Sequence, residues 1–388
     1  MRILFLTSRF PFPLEKGDKL RAFHQIKELS KNHEIILVAV SDQKVEASSL
    51  EAIKPFCRKV LVHEMSTLQV GSHLLKTFFS NKPFQVGYFY STEFQRKVNE
   101  VIEKDKPDAI FCQLTRMAEY VKHIKHIPKT LDYMDAFSVG LDRLRKHSSF
   151  IKRIFVSMEF KRLKRYEHDI FSYFEHHTII SEQDKILIPH PQHDSIEVLP
   201  NGVDFDYYQP QQREKKYELI FSGNMNYPPN IESALFIAKK VMPLIWKTRP
   251  DAFLVIAGAT PDYEIEKLKG EHIHVTGWVE DMRDYIAQSR IHLAPMFISI
   301  GLQNKILQAM AMKIPCIVST LSNNAIHAPV DECVLIANTP EEYAEKILFL
   351  LSNPDKAASM ADNAYRFVKA HFEWKVAVSE LEKILTSR

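Results

Sequence analysis

In the stretch Gly301-Leu-Gln-Asn-Lys-Ile-Leu-Gln-Ala-Met-Ala311, Lys305 and Asn304 stand three and four residues before Gln308. On a helix begun near Gly301 these three share one face, while Ile306, Leu307, Met310 and Ala311 turn to another. A solvated face would carry several charges; this one is mostly amide with a single cation. Amides donate to and accept from hydroxyls, and a lysine one turn into a helix adds a full charge to the partial positive charge of its amino end. Gly301 lets a ligand come close to the backbone. Together the helix start, the cation and the glycine suit an anion.

Such a site needs elements to hold it. Short β-rich apolar runs alternate with helical patterns along the chain. In the first half the expected strands are Ile3 to Thr7, His33 to Val40, Lys59 to His63, Ala109 to Gln113, Thr130 to Tyr133, Thr178 to Ser181 and Ile196 to Leu199. Turn signals at Leu199-Pro-Asn-Gly-Val-Asp204 and a polar run from Tyr207 to Lys216 mark a domain boundary, giving domains 1–200 and 201–388. The alternation then restarts with strands at Glu218 to Ser222, Phe253 to Ala257, His272 to Thr276, Ile291 to Ala294, Cys316 to Ser319 and Val334 to Ala337. A single helix is expected from Ile231 to Lys247. Strands separated by helices imply βαβ units, parallel sheets and an α/β fold of two doubly wound halves.

In such sheets ligands bind beyond the carboxyl ends of strands. The chain has only 10 glycines, yet the expected strand exits include Ser8 to Gly17, Asn201-Gly202, Gly223-Asn224, Gly258, Gly277-Trp and Gly301. Each glycine has two readings, a turn requirement or a close approach to a ligand.

Composition narrows the function classes. A length of 388 residues favours two domains, and a formal net charge of +3 gives no global drive toward nucleic acid. The four cysteines are scattered without ligand spacing, which suits a reducing compartment. No apolar run is long enough for a signal peptide or a spanning helix, so a cytoplasmic protein is expected. No two glycines lie two residues apart, so the dinucleotide fingerprint is missing, and no Walker lysine loop occurs; an oxidoreductase and phosphoryl transfer are disfavoured. The histidine clusters His176-His177 and His190-Pro-Gln-His193 lack carboxylate or cysteine partners at ligand spacing. They read as surface or packing histidines, and no metal is expected.

The order of motifs adds a resemblance. Leu199-Pro-Asn-Gly-Val-Asp204, Phe221-Ser-Gly-Asn-Met-Asn-Tyr-Pro-Pro-Asn230, Val275-Thr-Gly-Trp-Val279, Ile291-His-Leu-Ala-Pro295 and Gly301 to Ala311 together resemble glycosyltransferases of family 4. The early Phe10-Pro-Phe-Pro-Leu-Glu-Lys-Gly-Asp-Lys-Leu-Arg21 looks like that family's amino-terminal glycine loop, so the resemblance spans nearly the whole chain. It implies a GT-B fold, two Rossmann-like domains facing a cleft, with the last helices crossing back toward the first domain. It implies a retaining transfer from a nucleotide diphosphate sugar, which is substrate and not cofactor, to a glycan, polysaccharide or lipid-linked acceptor.

On that resemblance the donor would meet Gly17, Asn201, Gly202, Gly223, Asn224, Gly277, Ile300, Gly301, Leu302, Asn304 and Gln308, with Lys305 at the leaving diphosphate. Arg9, Lys16, Lys19 and Arg21 are further cations for that role. The sequence departs from the family where two glutamates usually stand eight positions apart; here they are Ile300 and Gln308. Asn224 takes the place of an arginine, and Pro229 and Asn230 fill the region of a usual lysine. Asp132 and Asp135 follow a strand where relatives often carry a histidine. Either one orients the acceptor hydroxyl or takes its proton, or one of them caps the following helix.

Between Leu141 and Arg165, basic residues outnumber acids and Phe150, Ile151, Ile154, Phe155, Met158 and Leu163 are interleaved with them. Two readings stay open, a peripheral contact with an anionic membrane face or a solvated helix packing its apolar side inward. Two alternatives to transfer also stay open: a relative that only binds the nucleotide sugar, and an epimerase on the same fold.

Overall fold

The computed structural model of the chain describes residues 1–146, 149–297 and 301–387. The chain divides into two compact units, Met1–Pro200 with Ala377–Arg388, and Asn201–Val376. The final helix, Trp374–Thr386, therefore lies mostly in the first unit, where Glu382 accepts from Asn32 (3.0 Å) and pairs with the His33 ring (2.8 Å).

The first unit holds seven strands: β1 (Arg2–Thr7), β2 (Glu34–Ser41), β3 (Lys59–Glu64), β4 (Ala109–Gln113), β5 (Lys129–Asp132), β6 (His176–Ile179) and β7 (Glu197–Val198). They form one sheet in the order β3-β2-β1-β4-β5-β6-β7, and every pairing is parallel. The central strands are buried on both faces, which is why β1, β2 and β4 read as unbroken apolar runs. β6 begins and ends two residues before its expected span. Ser181 is instead the cap of a short helix, accepting from the Asp184 N–H, so the strand cannot run through it.

The second unit holds β8 (Tyr217–Ser222), β9 (Leu254–Ala257), β10 (Ile273–Val275), β11 (Ser289–Ala294), β12 (Cys316–Val318) and β13 (Val334–Ile336). Their order is β10-β9-β8-β11-β12-β13, again all parallel. Two apolar layers cover this sheet: one around Phe221, Ile237, Ile256 and Tyr343, the other around Val255, Leu307, Met310 and Val318.

Two expected helices differ in detail. The one from Ile231 to Lys247 is a helix from Pro228 to Phe236, a π turn over Ile237–Val241, and a helix over Met242–Trp246. Pro243 has no N–H to give, so the regular bonding pattern is interrupted there. The helix expected from Gly301 starts at Asn304 and runs to Ala311, because Gly301 has φ of 62° and Gln303 is extended.

Candidate functional site

In the second unit, β8 leaves the sheet at Ser222 and turns at Gly223 with φ of 152°. A Cβ on Gly223 would stand 2.8 Å from Asn230 Nδ2 and 3.2 Å from Lys305 Nζ, so the glycine is what admits this pair. The turn after β9 packs against it: a Cβ on Gly258 would lie 1.7 Å from the Gly223 carbonyl oxygen. Gly258 in turn donates its N–H to Thr276 Oγ1 (3.2 Å), whose hydroxyl donates to the Gly277 carbonyl (2.7 Å). Three adjacent strand exits are thus tied into one floor of backbone and small side chains.

Lys305 rises through this floor from the first turn of the Asn304–Ala311 helix. Its Nζ donates to Asn230 Oδ1 (2.7 Å), lies 4.4 Å from the Phe221 ring centre and 4.0 Å from Met296 sulfur. Among the described residues it has no carboxylate partner. Burial pushes its ammonium down to about 7. Asn230 is held by its own amide, which donates to the Asn224 carbonyl (2.9 Å). Below them His292 is buried, with Nε2 3.1 Å from Ser222 Oγ and Nδ1 without a partner among the described residues. Burial first, and the Lys305 charge second, push this ring down to about 3, so it is neutral and Lys305 is the cation of the site.

The remaining donor-side candidates fall around this point unequally. Asn201 Nδ2 is 3.5 Å from Asn304 Oδ1, which brings Asn201 to the helix start. Gln303 supplies no side-chain cap to that helix, and its carbonyl accepts the Ile306 N–H (3.0 Å), which leaves the Asn304 and Lys305 N–H groups at the helix start. Gln308 is half-buried on the same face as Lys305, and its amide has no described partner. Leu302 packs against the apolar layer. Asn224 braces its own loop, its Oδ1 accepting from Asn226 N–H (3.0 Å) and Thr260 Oγ1 (2.8 Å). Gly202 has a packing reason: a Cβ there would stand 2.7 Å from Trp374. Gly277 has φ of 71° and open space around it, a turn requirement. Gly17 belongs to the first unit and opens the Gly17–Leu29 helix. Ile300 lies outside the described residues.

In the first unit the two aspartates part company. Asp132, at the end of β5, is 0% exposed, and Arg21 is 1% exposed. The Asp132 carboxylate accepts from Arg21 Nε (2.7 Å) and Nη2 (3.3 Å), Thr178 Oγ1 (3.0 Å) and the Met134 N–H (3.3 Å). Arg21 Nη1 also donates to the Leu199 carbonyl (2.9 Å). This pair is a buried clasp among strand ends, which makes Asp132 a positioning residue and takes Arg21 out of the set of cations open to a diphosphate. Lys19 is paired with Glu15 (3.0 Å) and Arg9 with Asp18 (2.6 Å).

Asp135 differs. It is half-buried, follows Met134 with φ of 62°, and its carboxylate has no hydrogen bond among the described residues. Burial, then the carboxylates of Asp184 and Asp132, push it up to about 7. A carboxylate so poised exchanges protons near neutral pH.

Asn230, His292 and Thr276 are the site residues that sequence reasoning missed. Asn230 alone had a signal, its place where relatives carry a cation. The histidine pairs pack: His177 and His190 stack on Phe171 at 3.7 and 3.8 Å. In the Phe150–Phe171 helix, Leu163, Ile170 and Phe171 are buried, but Phe150 is 80% exposed and Ile151, Ile154 and Phe155 are also exposed. The amino-terminal turns of this helix do not pack inward.

Residues 216–353 match the family described as glycosyl transferases group 1. Over the whole of both chains the fold matches Anabaena HepE, solved in complex with UDP, at a TM-score of 0.69 and 14% identity. The chain has the GT-B fold. An uncharacterized 44.6 kDa protein in the cps region of Klebsiella pneumoniae is 21% identical over 98% of this chain and 99% of its own length. An uncharacterized glycosyltransferase of Methanocaldococcus jannaschii is 28% identical over 44% of the chain and 45% of its own.

Proposed function

We propose that this protein is a glycosyltransferase that takes a sugar from a nucleoside diphosphate carrier and passes it to a hydroxyl of a glycan, polysaccharide or lipid-linked acceptor, with retention. The observation that carries the reading is Lys305: a cation without a carboxylate partner among the described residues, held by Asn230 at the uncapped start of a helix. A leaving diphosphate gains negative charge as the glycosidic bond breaks, and Lys305 with the helix N–H groups stabilises that charge more than the bound ground state. Gln308 hydrogen-bonds ribose hydroxyls as both donor and acceptor. Asp135 takes the acceptor proton. HepE's complex with UDP supports a uridine nucleotide as the first donor to try. The Klebsiella relative's cps region supports a polysaccharide precursor as acceptor.

The basic helix with exposed Phe150 and Ile154 supports a peripheral seat on an anionic membrane face, on the cytoplasmic side. No described helix is long and apolar enough to cross a membrane.

One observation favours a second reading. Gln308 stands where active relatives usually carry an acid, which supports a protein that binds the nucleotide sugar without turning it over. A screen of nucleotide sugars by thermal stabilisation, followed by product analysis with a pool of acceptors, separates the readings. Transfer with the donor's anomeric configuration preserved supports the first, and Lys305→Ala should then lower kcat/KM by about 100-fold or more. Saturable binding without turnover supports the second, and interconversion of the donor without acceptor would identify an epimerase. An unchanged rate in Lys305→Ala would sink the role given to that residue.

A further inference from the structure

The first unit carries a second set of unspent donors, at the carboxyl ends of β1 and β4, which are neighbours in the sheet. β4 ends at Gln113, and the chain leaves it through Leu114 with φ of 69° and ψ of 140°, a conformation costly for a residue with a side chain. That turn delivers Arg116, on the 3-10 segment Thr115–Tyr120, into the interior. Arg116 is only 9% exposed. Its guanidinium lies 4.9 Å from the Phe89 ring centre and 5.6 Å from that of Phe137, and it has no hydrogen bond or ion pair among the described residues. A buried guanidinium with five N–H donors and no acceptor is an expensive arrangement unless a ligand completes it.

β1 ends beside it. Thr7 Oγ1, Ser8 Oγ and Arg9 Nε are each buried without a partner among the described residues. Arg9 spends only Nη1, on Asp18. The charged groups that act on Arg116 are Arg9, which repels it, and Asp18 and Asp42, which attract it from beyond hydrogen-bonding distance. Asp18 is occupied by Arg9, and Asp42 acts on the Tyr88 hydroxyl. Burial pushes Arg116 down to about 10, so it is charged at neutral pH. Guanidinium forks are selective for oxyanions, which take paired N–H bonds in one plane.

We propose that the first unit holds an oxyanion of the acceptor, a phosphate or a carboxylate, on Arg116 and Arg9 at the exits of β4 and β1. The acceptor is then itself anionic, and hydroxyl-only glycans are poor substrates. The word acceptor rests on the transferase reading; the oxyanion site does not.

The test is calorimetric titration of the full chain saturated with UDP, using phenyl phosphate and glucuronate as phosphate and carboxylate probes. UDP keeps the Lys305 site filled. Saturable binding of either probe is expected, and the tighter probe tells which oxyanion the acceptor carries. Arg116→Gln should weaken that binding by about tenfold or more, and Arg116→Lys, which keeps charge but loses the fork, should fall between. If Arg116→Gln does not fold, as judged by its melting curve, the half-exposed Arg9→Gln decides with the same expected weakening. Undiminished binding in these variants, or no saturable binding of either probe in the parent protein, overturns the proposal. Should UDP not bind, the donor reading fails separately. The titration is then run on Lys305→Ala, which removes the Lys305 site from competition for the probe.

Discussion

A lysine whose free amine and ammonium forms are nearly balanced at neutral pH makes ligand binding a protonation event. With Lys305 down to about 7, a diphosphate stabilises the charged form and draws in a proton wherever the free protein has lost it. UDP affinity should therefore hold below pH 7 and weaken above it, by a limiting factor of about ten per pH unit, and that slope should vanish in Lys305→Ala. Isothermal titration at pH 6 to 9 reads it; a flat profile in the parent protein would contradict the assignment. Arg21 and Asp132 show the opposite use of charge. Their pairing is fully buried and hydrogen-bonded on every side, so removing one member strands the other. Asp132→Ala should lower the free energy of unfolding by about 3–5 kcal/mol, read by urea denaturation.

At the scale of elements, the floor under Lys305 is set by three strand exits packed closer than side chains allow. Gly258→Ala must move the Gly223 carbonyl, which a Cβ would otherwise meet at 1.7 Å. It should cost about 1–3 kcal/mol of stability and UDP affinity together, measured by denaturation and titration. The Phe150–Phe171 helix makes a separate prediction. Replacing Phe150 and Ile154 by serine should abolish sedimentation with vesicles of anionic lipid while leaving binding to neutral vesicles as weak as before.

The elements themselves were legible in the sequence, because parallel strands buried on both faces leave unbroken apolar runs and glycines collect at their exits. The polar face of Asn304, Lys305 and Gln308 was legible for the same reason, since helical spacing is local. What was hidden depends on residues far apart in the chain. Arg21 meets Asp132 across 111 positions, and no pattern in either neighbourhood announces it. Asn230 and Lys305 meet across 75, and Gly301 carries a backbone conformation that starts the helix later than periodicity implies.

Taken as a whole molecule, the chain sets two groups near neutrality in opposite senses. In the proposed transfer Lys305 acts protonated and Asp135 deprotonated, and both sit at about 7 in the free protein. The profile of kcat/KM should therefore be a narrow bell centred near pH 7, rising with Asp135 and falling with Lys305. Asp135→Asn should remove the rising limb and lower the plateau by about 100-fold or more. A broad plateau from pH 6 to 9 in the parent protein would show that neither group governs the rate. The Lys305 environment has one more consequence. An amine that is about half unprotonated at pH 7 is a nucleophile, whereas ordinary lysines at that pH are almost all ammonium ions. Electrophiles small enough to reach the Phe221 ring should therefore acylate Lys305 ahead of the surface lysines. The donor's own diphosphate would shield it, making the site addressable by covalent chemistry.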